Sequence, residues 1–158
     1  MPPAAPKTPR DDAAFDVDTL LLIVVGAHPR AEATDRAVAY RLRQAFADAL
    51  AARHGGEPPL RPLVVTDVWY LNDASLRGCA AVSVGAPGVN AFTAYLGDKL
   101  PSAFVVDDRL MVQMDLDLTD LIAACWGVDA RATAEAAEAF VSRYLEDFTL
   151  AAVRRAGL

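Results

Sequence analysis

The sequence predicts a single α/β domain built in three layers, a mainly parallel sheet with helices on both faces. Two observations carry this. Residues 21–30 (Leu-Leu-Ile-Val-Val-Gly-Ala-His-Pro-Arg) and 81–90 (Ala-Val-Ser-Val-Gly-Ala-Pro-Gly-Val-Asn) are near-repeats in which an apolar run stops at Val-Gly-Ala and then breaks at proline. A short, wholly apolar run that hands over to a helix through glycine is the pattern of a buried parallel strand entering its crossover. Such runs also alternate along the chain with stretches that are apolar at helical spacing, which is the arrangement of α/β domains.

Residues 1–17 are rich in proline and alanine with mixed charge and read as a mobile tail ahead of a domain at 18–158. Residues 19–25 form the first strand and 26–33 a loop. Thr34 or Asp35 caps the helix that follows, whose apolar face is Val38, Leu42, Ala45, Phe46, Ala49 and Leu50. Gly55-Gly56 ends that helix and Pro58-Pro59 prevents its return. Residues 63–66 make a second strand leading into Asp67-Val68-Trp69-Tyr70, and 72–78 are a polar connection. The third strand is 79–84, after which Asn90 opens a helix to about Leu96. Residues 103–106, 107–109 and 110–113 read as strand, turn and returning strand. The last buried strand is 121–126. One final helix, capped by Asp129 or Thr133, carries Ala137, Phe140, Val141, Tyr144, Leu145, Phe148 and Ala152 as a core stripe. Arg154 and Arg155 sit at its C-terminal end, where the helix dipole favours cations.

A chain of 158 residues has room for one sizeable core. Its net charge of −6 argues against a nucleic-acid surface, which needs a basic patch, and would repel an anionic membrane. No run approaches the roughly 20 apolar residues of a membrane helix. The apolar stretch at 20–27 follows Asp11, Asp12, Asp16 and Asp18 rather than the basic flank of a secretory signal, so a cytoplasmic location is expected. Cys79 and Cys125 fall within apolar runs and read as buried, reduced thiols. With two scattered histidines they offer no metal-ligand spacing. Asp107, Asp108, Asp115, Asp117 and Asp120 lack the glycine of a calcium loop and read as turns, caps and a solvated face.

Right-handed crossovers place the first and last helices on the same face of the sheet, in a flavodoxin-like or related strand order. Strands one and three are then neighbours at the switch point, and their two Gly-Ala loops face each other across one crevice. In the first loop His28, Arg30, Glu32, Thr34, Asp35 and Arg36 fall within nine positions. Backbone N–H groups, the Thr34 hydroxyl and Arg30 could hold an anion there. His28 is the candidate catalytic acid or base, because histidine titrates near neutrality. The structural alternative is a His28-Pro29 turn, with Thr34 and Asp35 as caps and Arg30 and Glu32 solvated. On the opposite wall Gly85 and Gly88 permit close approach, and Asn90 either caps a helix or offers its amide to a ligand. Pro87 removes a donor, and neither G-x-G-x-x-G nor a Walker lysine is present. Asp67, at the end of a central strand, and Trp69, Tyr70 and Trp126, near strand ends, are secondary candidates. Ser83 lies inside a strand rather than on a G-x-S-x-G elbow, and Cys79 has no evident base.

Leu22-Ile23-Val24-Val25, then Ala27-His28-Pro29 and a hydroxyl before a helix, resembles the flavodoxin-like NAD(P)H quinone oxidoreductases over residues 20–50. That family has a strand, an Ala-His-Pro turn and a Ser or Thr that helps hold the flavin phosphate. The resemblance implies FMN, with its phosphate near His28 and Thr34 and its isoalloxazine against 85–90.

The function expected from the residues is binding of a small anionic or nucleotide-like ligand between 26–35 and 85–90. His28, Arg30 and Thr34 would orient it against Gly85, Gly88 and Asn90. A reading of a different class is a non-catalytic, self-associating module without cofactor, in which Val89 and Phe92 beside the second loop make a homo-oligomer contact.

Overall fold

The computed structural model describes residues 16–157. Residues 1–15, most of the stretch read as a tail, lie outside them. Asp16 caps a short 3-10 turn, Val17–Thr19, that leads directly into the sheet.

Six described strands form one sheet: β1 (Leu20–Val25), β2 (Arg61–Thr66), β3 (Ala80–Val84), β4 (Ser102–Val106), β5 (Leu110–Met114) and β6 (Ile122–Gly127). Their spatial order is β2-β1-β3-β6-β5-β4. β2, β1, β3 and β6 run parallel, with Leu22 level with Leu63 on one side and Ala81 on the other. β5 lies antiparallel between β6 and β4, so the sheet is mixed rather than purely parallel. Connection length explains this. A parallel crossover needs a dozen or more residues, whereas a two-residue turn can only reverse the chain. Asp107 and Asp108 both adopt positive φ (51° and 52°), and Arg109 N–H donates to the Val106 carbonyl at 2.8 Å. That is the type I′ geometry that matches strand twist. The β5–β6 link, residues 115–121, is also too short for a parallel crossover, and Asp115 organises it by accepting backbone N–H groups from Asp117, Thr119 and Asp120, each at 3.0 Å. Those bonds hold its carboxyl below the usual range.

Helices α1 (Arg36–Arg53), α4 (Ala130–Arg143) and α5 (Leu145–Arg155) cover one face, and α2 (Asp67–Asn72) and α3 (Ala91–Leu96) the other. β1 is buried along its whole length because it is covered on both sides. Its side chains alternate: Leu21, Ile23 and Val25 join the core beneath α1, α4 and α5, while Leu20, Leu22 and Val24 join Tyr70, Phe92 and Leu96 opposite. No described helix is long and apolar enough to cross a membrane.

Three expectations need correction. The helix after β1 begins at Pro29, not after Ala33: Pro29 and Arg30 are helical and continue through a π-turn, Ala31–Asp35, into α1. Proline suits a first helical position because its missing N–H would have no partner there. Thr34 and Asp35 are therefore inside the helix and cap nothing. Asp67 follows β2, which is an edge strand rather than a central one. The single final helix is two helices broken at Tyr144 (φ −129°, ψ −19°), which leaves Val141 substantially exposed. The break has a packing reason. Phe140 and Phe148 would stand about 12 Å apart along a straight helix at 1.5 Å per residue. Here their rings meet edge-on at 5.6 Å, and each lies 6.0 Å from Phe46 of α1. Tyr144 itself donates its hydroxyl to the Ala103 carbonyl at 3.2 Å, tying the break to β4.

All three phenylalanines are fully buried. Phe46→Ala should lower stability by about 3–5 kcal/mol, measured as a shift in the urea midpoint. A loss under about 1 kcal/mol would show that the triad does not organise this face of the core.

Candidate functional site

The two Gly-Ala loops do meet where β1 and β3 lie side by side, but their contact is filled rather than open. Asp67, first residue of α2, is buried with its carboxylate between them. Oδ1 accepts from Ala27 N–H at 2.9 Å and from its neighbour Val68 at 2.8 Å, and Oδ2 accepts from Ala91 N–H at 2.8 Å. Asn90 lies beside it, fully buried. Its Nδ2 donates to the Val24 and Val84 carbonyls at 3.2 and 2.9 Å, and its Oδ1 accepts from Phe92 and Thr93 at the start of α3. That uses both donors and both acceptor positions of the amide. Gly26 closes the seam, since a Cβ there would stand 1.9 Å from the Val89 carbonyl oxygen.

At the helix start after β1, the His28 carbonyl accepts from Glu32 N–H at 3.0 Å and its Nδ1 accepts from Arg30 N–H at 3.1 Å. His28 thus does the capping work expected of Thr34 or Asp35. Thr34 Oγ donates to the Arg30 carbonyl at 3.0 Å. The Arg30 N–H group and the Thr34 hydroxyl, at the turn where the resemblance implies a flavin phosphate near His28 and Thr34, are engaged within the protein.

An open cleft of about 460 Å³ lies on the α1–α4 side, across the carboxyl ends of β1, β3 and β6. Arg30, Ala33, Thr34 and Asp35 form one wall, Ala86, Gly88 and Val89 the second, and Gly127, Val128, Asp129, Ala130 and Thr133 the third. The third wall is held rigidly. Asp129 caps α4 by accepting from Ala132 N–H at 2.7 Å, and Thr133 Oγ accepts from Gly127 N–H at 3.1 Å. A Cβ at Gly127 would lie 2.3 Å from that of Ala132, so only glycine lets α4 approach the end of β6 so closely.

Asp35 is the buried charge of the cleft, 5% exposed. Oδ1 has one long contact with Thr34 Oγ at 3.4 Å, while Oδ2, with no protein donor among the described residues, is reached by solvent. No described Lys or Arg forms an ion pair with it. Burial pushes its carboxyl up from the ordinary aspartate value, with Thr34 opposing weakly. Gly85 makes room for it: the φ there is +117°, and a Cβ would stand 2.6 Å from Oδ2.

Of the residues singled out from sequence, Arg30, Thr34 and Gly88 line the cleft, Gly85 lies beneath it against Asp35, Asn90 sits in the closed seam, and His28 stands outside the lining. Trp69 is exposed on α2, Tyr70 stacks on Phe92 at 4.2 Å, and Trp126 donates to Gln113 Oε1 at 3.1 Å. None of the three lines the cleft. Cys79 and Cys125 are buried and unpaired, and no described group of three or more His, Cys, Asp or Glu residues could hold a metal ion. Sequence reasoning missed the β6–α4 wall and the role of Asp35. The first was signalled by Cys125-Trp126-Gly127-Val128-Asp129, a third apolar strand ending in glycine before a cap. The second was hidden by the assumption that Asp35 capped a helix.

No family model matches the chain, and no curated protein matches it.

Two outcomes follow from this geometry. Asp67→Ala orphans three backbone donors and should lower stability by about 2–4 kcal/mol. The Ala27 and Ala91 amides should then exchange with solvent much faster; unchanged exchange would show that Asp67 does not bridge the loops. Asp35→Asn should raise the melting temperature at pH 7. With its pKa raised on folding, Asp35 gives up its proton less readily in the native chain than in the unfolded one, so wild-type stability falls as pH rises above the ordinary aspartate range. The advantage of the asparagine should therefore shrink as pH is lowered toward about 4. A variant less stable than wild type at pH 7 would mean that the carboxylate is paired.

Proposed function

We propose that this protein binds a small molecule in the cleft at the carboxyl ends of β1, β3 and β6, with Arg30 and Thr34 on one wall, Gly88 on the second and the start of α4 on the third. The observation that carries this reading is Asp35, a largely buried carboxylate on the cleft whose Oδ2 meets solvent rather than a protein donor and which no described Lys or Arg pairs. A largely buried carboxyl without an ion-pair partner is costly to charge, and groups of this kind gather at binding and catalytic sites. Position supports the same reading. In open α/β sheets ligands bind beyond the carboxyl ends of the strands, and the cleft has the size of a small-ligand pocket. His28 is left as a helix cap with no direct part in binding.

The β2-β1-β3 order and the resemblance of the Ala27-His28-Pro29 turn support a second reading, in which the ligand is FMN in a flavodoxin-like protein. The engaged donors of that turn make it the weaker one. Absorbance near 450 nm retained after FMN is added and the excess removed would favour it over the first.

Gly88 offers a direct test, because nothing lies within 4 Å of a Cβ placed there. Gly88→Trp should fill the mouth of the cleft while changing stability by less than about 0.5 kcal/mol. In a ligand-observed NMR screen of small polar compounds with FMN included, the wild-type protein should show binders that compete with one another, and the variant should lose them. Binders that persist in Gly88→Trp place the site elsewhere. No binder, together with a change of sedimentation behaviour in the variant, would favour the self-associating module.

A further inference from the structure

Resting on the cleft reading above, we infer that the group received by Asp35 is a cationic nitrogen, an ammonium or amidinium on a compact and otherwise apolar molecule, rather than an anion. The hydrogen-bond inventory at Asp35 points this way. A carboxylate offers about four acceptor sites. Among the described residues the only donor within hydrogen-bond distance of it is the Thr34 hydroxyl, whose single proton goes to the Arg30 carbonyl at 3.0 Å in preference to the 3.4 Å contact with Asp35, so the other acceptor sites are open to solvent or a ligand.

The nearby cations do not supply the missing charge. Arg36 is paired with Glu32 at 2.8 Å, and Arg30 is an exposed residue that forms no ion pair with Asp35. The β6–α4 wall adds a second carboxylate, Asp129, whose Oδ1 is held by the α4 cap. An anion entering the cleft would meet two negative groups against the single positive charge of Arg30. A cation would complete the acceptor set of Asp35 and relieve its desolvation, as a charge-assisted pair in a half-dry site does. The remaining walls are small and apolar: Ala33, Ala86, Val89, Val128 and Ala130. They suit a hydrocarbon or single-ring body behind the charged end.

Four compounds of one shape and different charge test this: benzylamine, benzamidine, benzyl alcohol and benzoate, each titrated into ¹⁵N-labelled full-length protein. Benzylamine and benzamidine should shift the Gly85, Gly88, Val128 and Thr133 amides saturably, with benzyl alcohol at least about tenfold weaker. Asp35→Asn should weaken the two cations about tenfold or more and leave benzyl alcohol nearly unchanged. Benzoate binding at these amides while the amines do not would overturn the charge assignment and leave the cleft standing as a site. Cation binding that survives Asp35→Asn would overturn it too. Silence from all four compounds at these residues would sink the charge assignment and the cleft reading together. If Asp35→Asn does not fold, the ranking of the four compounds on wild-type protein decides the question.

Discussion

One carboxylate holds the upper end of this molecule together. Asp67 accepts N–H groups from the turn after β1, from its own helix and from the start of α3. It joins three segments that are far apart in sequence at the point where parallel strands would otherwise leave a gap. Backbone donors at such ends have no partners within their own elements, so an acceptor must come from elsewhere. Asn90 completes the join from the acceptor side, binding the last carbonyls of β1 and β3. The position of the open cleft follows. With the β1–β3 seam closed on the α2–α3 side, the cleft opens on the α1–α4 side, and β6 supplies its third wall.

The legible part of the fold was the part set by local chemistry. Leu20–Val25 and Ala80–Val84 are short apolar runs bounded by glycine, and each is a strand. Asn90 was readable as a cap because an Asn side chain before a short apolar helix can satisfy two N–H groups, as it does here. Asp107-Asp108 was readable as a turn for the same kind of reason. What escaped was set by partners distant in sequence. The break at Tyr144 depends on Phe46, about a hundred positions earlier, and on the Ala103 carbonyl. Nothing in the helical stripe of residues 137–152 records either.

The candidate site shows the same division. Arg30, Thr34 and Gly88, which line the cleft, were singled out because they follow strand ends, the general location of ligands in such sheets. Asp35 was read as a cap because a Thr-Asp pair before an apolar helix is a common helix start. Two local facts defeated that reading: Pro29 can begin a helix, and His28 can cap one with both its ring and its carbonyl. The π-turn then carries Asp35 into the interior instead of leaving it at a solvated end. Such turns inside α-helices occur often at functional sites. Gly85 was marked as a place of close approach by a ligand or another backbone, and what approaches it here is the Asp35 side chain of the same chain.

The aromatic triad has a consequence for synthesis on the ribosome. Phe46 leaves the exit tunnel long before Phe140 and Phe148, and β3 emerges before its neighbour β6. Until the last helices are made, the nascent chain presents a bare ring and an unpaired strand edge, the surfaces on which chains aggregate and to which chaperones bind. The part that emerges first holds β1, β2 and β3 and can begin to pair them, yet it lacks Phe140 and Phe148, the partners of Phe46. Completion of this domain is therefore a late, concerted event governed by its C-terminal helices, and a chain stalled before α5 would be a substrate for quality control rather than a smaller working protein.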